Sequence, residues 1–412
     1  MRKTLSLMLA LCLILTLFAC GTNTDPTTTP TTNEPTTEPA TTPSTEPSTE
    51  PATDPTTEPT TEPTTAPVVY DLPMNAISVT EETESTQNSD GNTVFEYIYQ
   101  NIRLMLPDTE MSLSVNLDIL NRIDSTRSDA ADIMNAALQA SPEYPYNFTV
   151  IYEPMRIDGH VLSFFTNQTS YSGGTALHIG SGLTYDLFTG KVLTLEDVLC
   201  SEVTADDICP LVNSALEALP EEYYLFADYK NTVEQRFADN FLTDDGWHLS
   251  TEGLCFTFDP YEIAPNSTGF IHALIPYSQL TGILRDEWFP AEQVTPDGVL
   301  EVLPFAQHNA TFDQFAELNL NPDGGTYLLH STGLVYDVVI EAGIWDGDGT
   351  RFTPERTVFM ADSLIPTNAV NIRTDIDDPM NSLRITYTGA EGTVTVYLST
   401  NTEDGSPLLL IN

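Results

Sequence analysis

The sequence predicts an α+β fold: two α+β domains followed by a small antiparallel β domain, after a disordered N-terminal tether. Three observations predict it. Between Val94 and Arg285, alternating runs rich in aromatic and β-branched residues are interleaved with segments whose apolar residues recur every three or four positions. From about Pro290 the helical spacing fades, and short strand-like runs alternate with Gly, Asp, Asn and Pro. Thr22–Pro67 has no aromatic residue and no Leu, Ile, Val or Met, so it cannot bury enough surface to offset its ordering entropy.

The elements follow in order. Val94–Leu106 alternates and reads as a long strand ended by Pro107-Asp108. Ser128–Gln139 places Ala130, Ile133, Met134, Ala137 and Leu138 on one helical face, with Ser128 as N-cap and Pro142 as the stop. Tyr146–Tyr152 and His160–Ser170 read as strands joined through Pro154 and Asp158-Gly159. Thr175–Leu187 reads as a strand broken by Gly180 and Gly182, and Asp186–Lys191 as a hairpin turn in which Gly190 takes a positive φ. Asp206–Leu219 and Glu221–Phe241 read as helices. Trp247–Leu249, Leu254–Phe258 and Phe270–Ile275 read as strands, and a last helix is expected near Tyr277–Arg285. Short strands then follow, among them Val335–Ala342, Thr357–Met360, Leu383–Tyr387 and Thr393–Leu398. The boundaries drawn are 1–19 for a leader, 20–67 for the tether, 68–170 and 171–289 for the α+β domains, and 290–412 for the β domain.

The start of the chain points to a compartment. Met1-Arg2-Lys3 is positive, Leu5–Phe18 is almost wholly apolar, and Leu17-Phe18-Ala19 precedes Cys20. That is the layout of a secretory signal, and the apolar run is short of the ~20 residues a spanning helix needs. Leu-x-Ala followed by cysteine resembles the lipobox of bacterial lipoproteins. The resemblance implies cleavage before Cys20 and a lipid on its thiol, hence an extracytoplasmic, membrane-anchored protein at the cell surface. The tether, with its Thr-Thr-Glu-Pro repeat, eight acidic and no basic residues, then supplies reach: ~40 Å as a coil, ~140 Å as polyproline II.

Charge narrows the partners. The whole chain carries a formal −46, and the 345 residues after Pro67 hold 52 acidic against 12 basic side chains. A body near −40 repels nucleic acid and anionic headgroups and favours basic partners or cations. Of the five cysteines, Cys12 leaves with the leader, and Cys200, Cys209 and Cys255 remain in the body. Cys200 and Cys209 flank a short acidic turn and are candidates for a small-loop disulfide.

The sequence carries no recognisable catalytic or metal-binding motif. His160, His178, His248, His272, His308 and His330 show no metal-ligand spacing, and no nucleophile elbow, phosphate loop or dinucleotide fingerprint occurs. Asp346, Asp348 and Thr350 begin like a calcium loop, but Arg351 and Thr357 stand where it needs Gly and Glu, which leaves an acidic turn. Asp375, Asp377 and Asp378 are equally non-specific. No catalytic residue, metal or cofactor is assigned.

Two stretches carry a family resemblance. One is Tyr171-Ser172-Gly173-Gly174-Thr175-Ala176-Leu177-His178 with Thr184–Leu199. The other is Phe258-Asp259-Pro260-Tyr261-Glu262-Ile263-Ala264-Pro265 with Gly269 and Ile275–Leu280. Together they resemble the RsiV-like domain (DUF3298). The preceding Val69–Ser170 is similar to the DUF4163/PdaC-like domain. The family's usual Gly-Gly-Ala-His is altered here, since Thr175 follows the glycine pair. The resemblance implies an extracytoplasmic α+β module, of the kind found in an anti-sigma factor that binds lysozyme and beside a peptidoglycan deacetylase. The expected function is therefore a binding module for a basic protein, lysozyme-like, or for peptidoglycan. The alternatives are an accessory or degenerate relative of a peptidoglycan-modifying enzyme, or a structural surface protein. Gly173, Gly174, His178 and Tyr261 are the candidate ligand-binding residues.

Overall fold

The computed structural model describes residues 75–105, 109–291, 293–305, 312, 314–321, 323–346, 351–376, 382–400 and 406–411. These all fall in one compact unit, Pro67–Asn412. The leader, Cys20, the tether, His308, Asp348, Thr350, Asp377 and Asp378 lie outside the described residues. The fold is mixed and sheet-rich, with several sheets.

A hairpin opens it: β1 (Ala76–Gln87) and β2 (Thr93–Leu104). A long helix, α1 (Glu110–Ala140), then crosses over, so that β3 (Tyr146–Ile157) runs parallel to β2. Antiparallel β4 (Val161–Tyr171) and β5 (Leu177–Asp186) follow. Thr109 caps α1: its Oγ1 accepts from the Ser112 N–H at 3.1 Å, and its own N–H donates to Ser112 Oγ at 3.0 Å. The helix starts well before the predicted Ser128. The residues it buries include Ser112 and Thr126, while Leu113, Leu117 and Leu120 face solvent, which hides the amphipathic stripe from the sequence. Two of the buried polar contacts lock it to the sheet. The Tyr97 hydroxyl meets Thr126 Oγ1 at 2.8 Å, and the Asn116 amide exchanges two hydrogen bonds with the Leu104 backbone.

Next come α2 (Leu195–Val198), α3 (Ala205–Glu217) and α4 (Tyr229–Asn240), then a three-stranded sheet of β6 (Trp247–Leu249), β7 (Gly253–Phe258) and β8 (Ile271–Pro276). Ile208, Val212 and Leu216 of α3 and Val233 and Phe237 of α4 bury against Leu254, Phe256, Ala273 and Ile275. The helix expected at Tyr277–Arg285 is only a 3₁₀ turn, Tyr277–Gln279. Past it the chain reaches Gly282 at φ 77° and a bridge from Leu284 to Leu199.

The remaining strands are β9 (Leu300–Pro304), β10 (Gln314–Asn319), β11 (Gly325–Ser331), β12 (Val335–Trp345), β13 (Phe352–Leu364), β14 (Asn368–Thr374), β15 (Ser382–Gly389), β16 (Gly392–Thr400) and β17 (Pro407–Ile411). They correct the expectation of a separate antiparallel β domain in two respects. First, β13 pairs with β1 through Ala76↔Ala361, Ile77↔Met360 and Ser78↔Phe359. One ten-stranded sheet therefore runs β17-β16-β15-β12-β13-β1-β2-β3-β4-β5. Second, β10 and β14 are parallel, within a four-stranded sheet β10-β14-β11-β9. That sheet packs Leu318, Leu329, Val370 and Ile372 against Val338, Ile340, Phe359 and Ile385 of the large one.

Three local expectations also change. β3 continues through Pro154 to Ile157, because its pairing with β2 ends at Tyr99↔Val150 and the missing N–H costs that ladder nothing. β5 runs unbroken through Gly180 and Gly182. Cys200, Cys209 and Cys255 all carry free thiols, so the Cys200–Cys209 disulfide is not formed. The turn at Asp186–Lys191 forms as read, with Gly190 at φ 72°.

Gly182 is where β5 meets β6. Its N–H donates to Asp245 O at 2.6 Å, and a Cβ there would lie 1.5 Å from Trp247 O. Gly182→Ala is expected to cost about 3 kcal/mol by pushing the two sheets apart. Gly174→Ala, which meets nothing within 4 Å, is expected to be neutral within experimental error. Urea unfolding of the two variants side by side checks this, and equal midpoints would refute the close approach.

Candidate functional site

β5 is one edge of the large sheet, and a recess of about 400 Å³ lies against it. Ile179 and Gly180 come from β5, Arg236 from α4, Asp244 and Asp245 from the turn before β6, and Asp259 and Glu262 from the loop after β7. Arg236 organises the floor. Its Nε and Nη2 grip both oxygens of Asp244 at 2.5 and 2.7 Å, a bidentate pair. Its Nη1 donates to Thr257 O at 2.8 Å and to Glu262 Oε1 at 3.2 Å, and the guanidinium stacks 4.7 Å from the Phe258 ring centre. Glu262 also accepts from the Asp259 N–H at 2.9 Å, and Asp259 accepts from the Gly180 N–H at 2.7 Å.

Four carboxylates thus surround one cation. Burial pushes the Glu262 and Asp259 carboxyls up, Arg236 pulling both back in part. Asp245 is exposed at the mouth. Ile179 on the strand edge lines the recess and is exposed, and two other exposed side chains, Leu177 and Tyr261 (65% exposed), stand two and one residues along the chain from lining residues. Tyr261 has φ 74°, a left-handed conformation uncommon outside glycine, fixed by its N–H bond to Ala264 O and by Pro260 and Pro265 on either side. An acidic hollow whose lining segments also carry exposed apolar and aromatic groups suits a partner that brings both positive charge and apolar surface.

The four candidate residues do not converge. Gly173, at φ 90°, turns β4 into β5, and a Cβ there would touch the Tyr146 hydroxyl at 3.0 Å; Gly174 beside it is exposed. His178 shares a 2.9 Å hydrogen bond with Thr169 Oγ1 and packs edge-on to Phe270. None of the four lines the recess, though His178 and Tyr261 are each adjacent in sequence to a residue that does. The sequence reading missed Arg236, Asp244, Asp245, Asp259 and Glu262. Only Asp259-Pro260-Tyr261-Glu262 carried a signal, because its prolines mark a stiff connection.

Behind the edge lies a ring cluster. Phe165 packs against Phe270, His272 and His248 at 5.1, 5.0 and 6.0 Å, and Thr257 Oγ1 meets His272 Nδ1 at 2.9 Å. His248 is fully buried, and neither ring nitrogen has a hydrogen-bond partner among the described residues. Burial, reinforced by His272, pushes its pKa down to about 3. Among the described residues no group of three His, Cys, Asp or Glu is placed to hold a metal ion, and no helix is long and apolar enough to cross a membrane.

Comparison with known proteins gives a family match to part of the chain. Residues 196–278 match DUF3298, described as "Protein of unknown function (DUF3298)". Arg236 and all four carboxylates of the recess lie inside the DUF3298 segment. Two solved DUF3298 structures are similar to the chain. One, from Bacteroides fragilis NCTC 9343, is 13% identical, covers 52% of this chain and 94% of its own, and has a TM-score of 0.38. The other, from Pseudomonas aeruginosa PAO1, is 18% identical, covers 54% and 99%, and also scores 0.38. No curated protein matches the chain.

The buried His248 sets an acid limit on the DUF3298 segment. Its pKa is lower in the folded state than in the unfolded chain, so the unfolded state binds the extra proton first. Stability from this group is complete above about pH 6.5 and drains away as pH falls toward 3. His248→Leu is expected to flatten thermal stability across that interval. Melting curves at about pH 7 and about pH 4.5 check it, and parallel losses in both proteins would refute the assignment.

Proposed function

We infer that this protein is a cell-envelope lipoprotein whose folded body captures a basic extracellular protein, lysozyme-like, or a wall component. The recess beside β5 carries the reading: three more carboxylates than cations, all from the segment that matches DUF3298, with exposed Ile179 on its wall and exposed Leu177 and Tyr261 on the segments that supply its lining. The sequence-level likeness to RsiV-like and PdaC-like domains supports the same direction. So does a body charge near −40, which speeds encounter with a cation-rich surface and makes affinity fall with salt. Cys20, acylated after cleavage of the leader, would hold the body at the membrane, with the Thr/Glu/Pro tether setting its reach.

Lysozyme is the probe. Binding is expected at about 20 mM salt and at least tenfold weaker at about 300 mM. Asp245→Asn combined with Tyr261→Ala, both at exposed positions, is expected to weaken it by a further tenfold without lowering the melting temperature. No binding at the lower salt removes lysozyme as partner, and unaltered binding by the double variant moves the site elsewhere. The anchor has its own check: the mature protein should begin at a lipid-modified Cys20, and an intact leader on a cytosolic protein would overturn the compartment.

A further inference from the structure

The outer edge of β5 is answered along most of its length. Leu193 N–H donates to Thr184 O at 2.8 Å, and Asp186 N–H donates to Lys191 O at 2.9 Å. Gly182 N–H donates to Asp245 O at 2.6 Å, and Gly180 N–H to Asp259 Oδ1 at 2.7 Å. The β5 groups in all four bonds belong to even-numbered residues. The ladder between β4 and β5 has no register shift, so odd-numbered residues direct their N–H and C=O groups to β4 and even-numbered ones direct them outward. His178 is the next residue in that outward series. Its N–H and C=O, and the C=O of Gly180, have no hydrogen-bond partner among the described residues. An open stretch of strand edge with its backbone groups unpaired is a template for another strand.

The two faces at this edge differ in chemistry. The even-numbered residues face the three-stranded sheet, since a Cβ on Gly180 would lie 2.8 Å from the Phe270 ring and one on Gly182 would strike Trp247 O. Asp245 and Asp259 stand at the ends of β6 and β7 of that sheet. Both have room for a cation: Asp245 is exposed and makes no salt bridge among the described residues, and Asp259 uses only Oδ1, on Gly180. Arg236 is fully engaged with Asp244, Thr257 and Glu262. Leu177 and Ile179, two residues apart, point to the opposite face, and both are exposed.

Charge decides which strand can add. Leu177–Tyr185 carries no Asp, Glu, Lys, Arg or Pro, so the edge lacks the usual devices against pairing with a copy of itself. A body near −40 supplies that protection by repulsion, and the same field draws in a cationic segment.

We propose that β5 takes up an extended segment of the captured partner as an added strand at His178–Gly180, one in which basic side chains turned toward Asp245 and Asp259 alternate with apolar ones turned toward Leu177 and Ile179. This rests on the reading of the recess as a capture site and adds the form of what is captured. Backbone hydrogen bonds to His178 and Gly180 give affinity, and the alternation gives specificity.

Isothermal titration of the full chain at about 20 mM salt with a capped hexapeptide of alternating lysine and valine tests it. Two comparators carry the same side chains: a block peptide with the lysines first and the valines after, and the alternating peptide N-methylated on its lysine backbone nitrogens, the ones that would face β5. The alternating peptide should bind saturably and at least tenfold more tightly than either comparator, which is what about two lost hydrogen bonds remove. Hydrogen exchange at the His178 amide should slow on saturation, while the Ile179 amide, already in the β4 ladder, should not change. Equal affinity of the three peptides, or an unaltered His178 exchange rate, overturns the added strand. Lysozyme binding in the same buffer without any binding of the alternating peptide overturns this inference alone, and absence of both overturns the capture reading with it. A dimer of the free chain that protects the His178 amide would give the edge to a second copy and overturn the proposal as well.

Discussion

One buried guanidinium fixes how the parts of this fold meet. Arg156 leaves β3 of the large sheet and reaches Tyr277 and Trp288, far along the chain, while its salt bridge among the described residues is to Asp158, two residues away. A cation this deep is tolerable only with its donors matched, and removing one partner of such a group costs about 3–5 kcal/mol. The contact therefore specifies geometry more than it adds stability. It holds the turn after β8 and the Asp286–Trp288 turn against β3, and the Tyr277 hydroxyl relays the constraint to Ser250 O at 2.8 Å, beside β6. Gly182 does the complementary work at the other end of the same face, where the two sheets come so close that no side chain fits between them.

These constraints explain what could be read from the sequence. Short-range signals read true: the Asp186–Lys191 turn, the strand near Val94 and the apolar face of Asp206–Leu219 all depend on neighbours a few residues away. The long-range ones did not. Nothing near Ala76 or Ala361 announces that β1 and β13 pair, so the last strands read as a separate domain although they extend the first sheet. α1 was half missed because its core-facing row mixes Ser112 and Thr126 with Val115, Ile119 and Ile123, while three leucines point outward. Tertiary contacts decide such a helix, and hydrophobic spacing is a weak guide to it. The recess was visible only as the stiff Asp259–Pro265 loop, since Arg236 and Asp244 come from segments whose meeting no local pattern encodes.

Charge distribution follows the same division between what is buried and what is displayed. The body has 12 basic side chains, and at least seven pair with carboxylates: Arg122, Arg127, Arg156, Lys191, Lys230, Arg236 and Arg384. Arg285 is turned onto the Leu199 and Glu196 carbonyls. Cations are thus placed where they organise structure, and most of the excess carboxylates are left to face solvent or the recess. The outer surface is consequently a nearly one-signed field, which favours fast, salt-sensitive encounter with basic partners.

His248 and Asp362 respond to pH in opposite senses, and the difference tells what each region tolerates. His248 is neutral when folded and resists protonation, so its contribution weakens as pH falls below about 6.5. Asp362 resists ionisation: its folded pKa lies above the unfolded one, so its burden appears as pH rises from about 4 and is complete above about 7. For His248 the relief is apolar, because Phe165 and its neighbours offer the ring nitrogens nothing to bond. For Asp362 the cause is burial first, then the charges of Asp158 and Asp337. A histidine whose ring nitrogens have no hydrogen-bond partner among the described residues is a packing residue that limits acid stability. A carboxyl beside like charges, with Arg156 already paired to Asp158, is a group whose ionisation limits stability as pH rises.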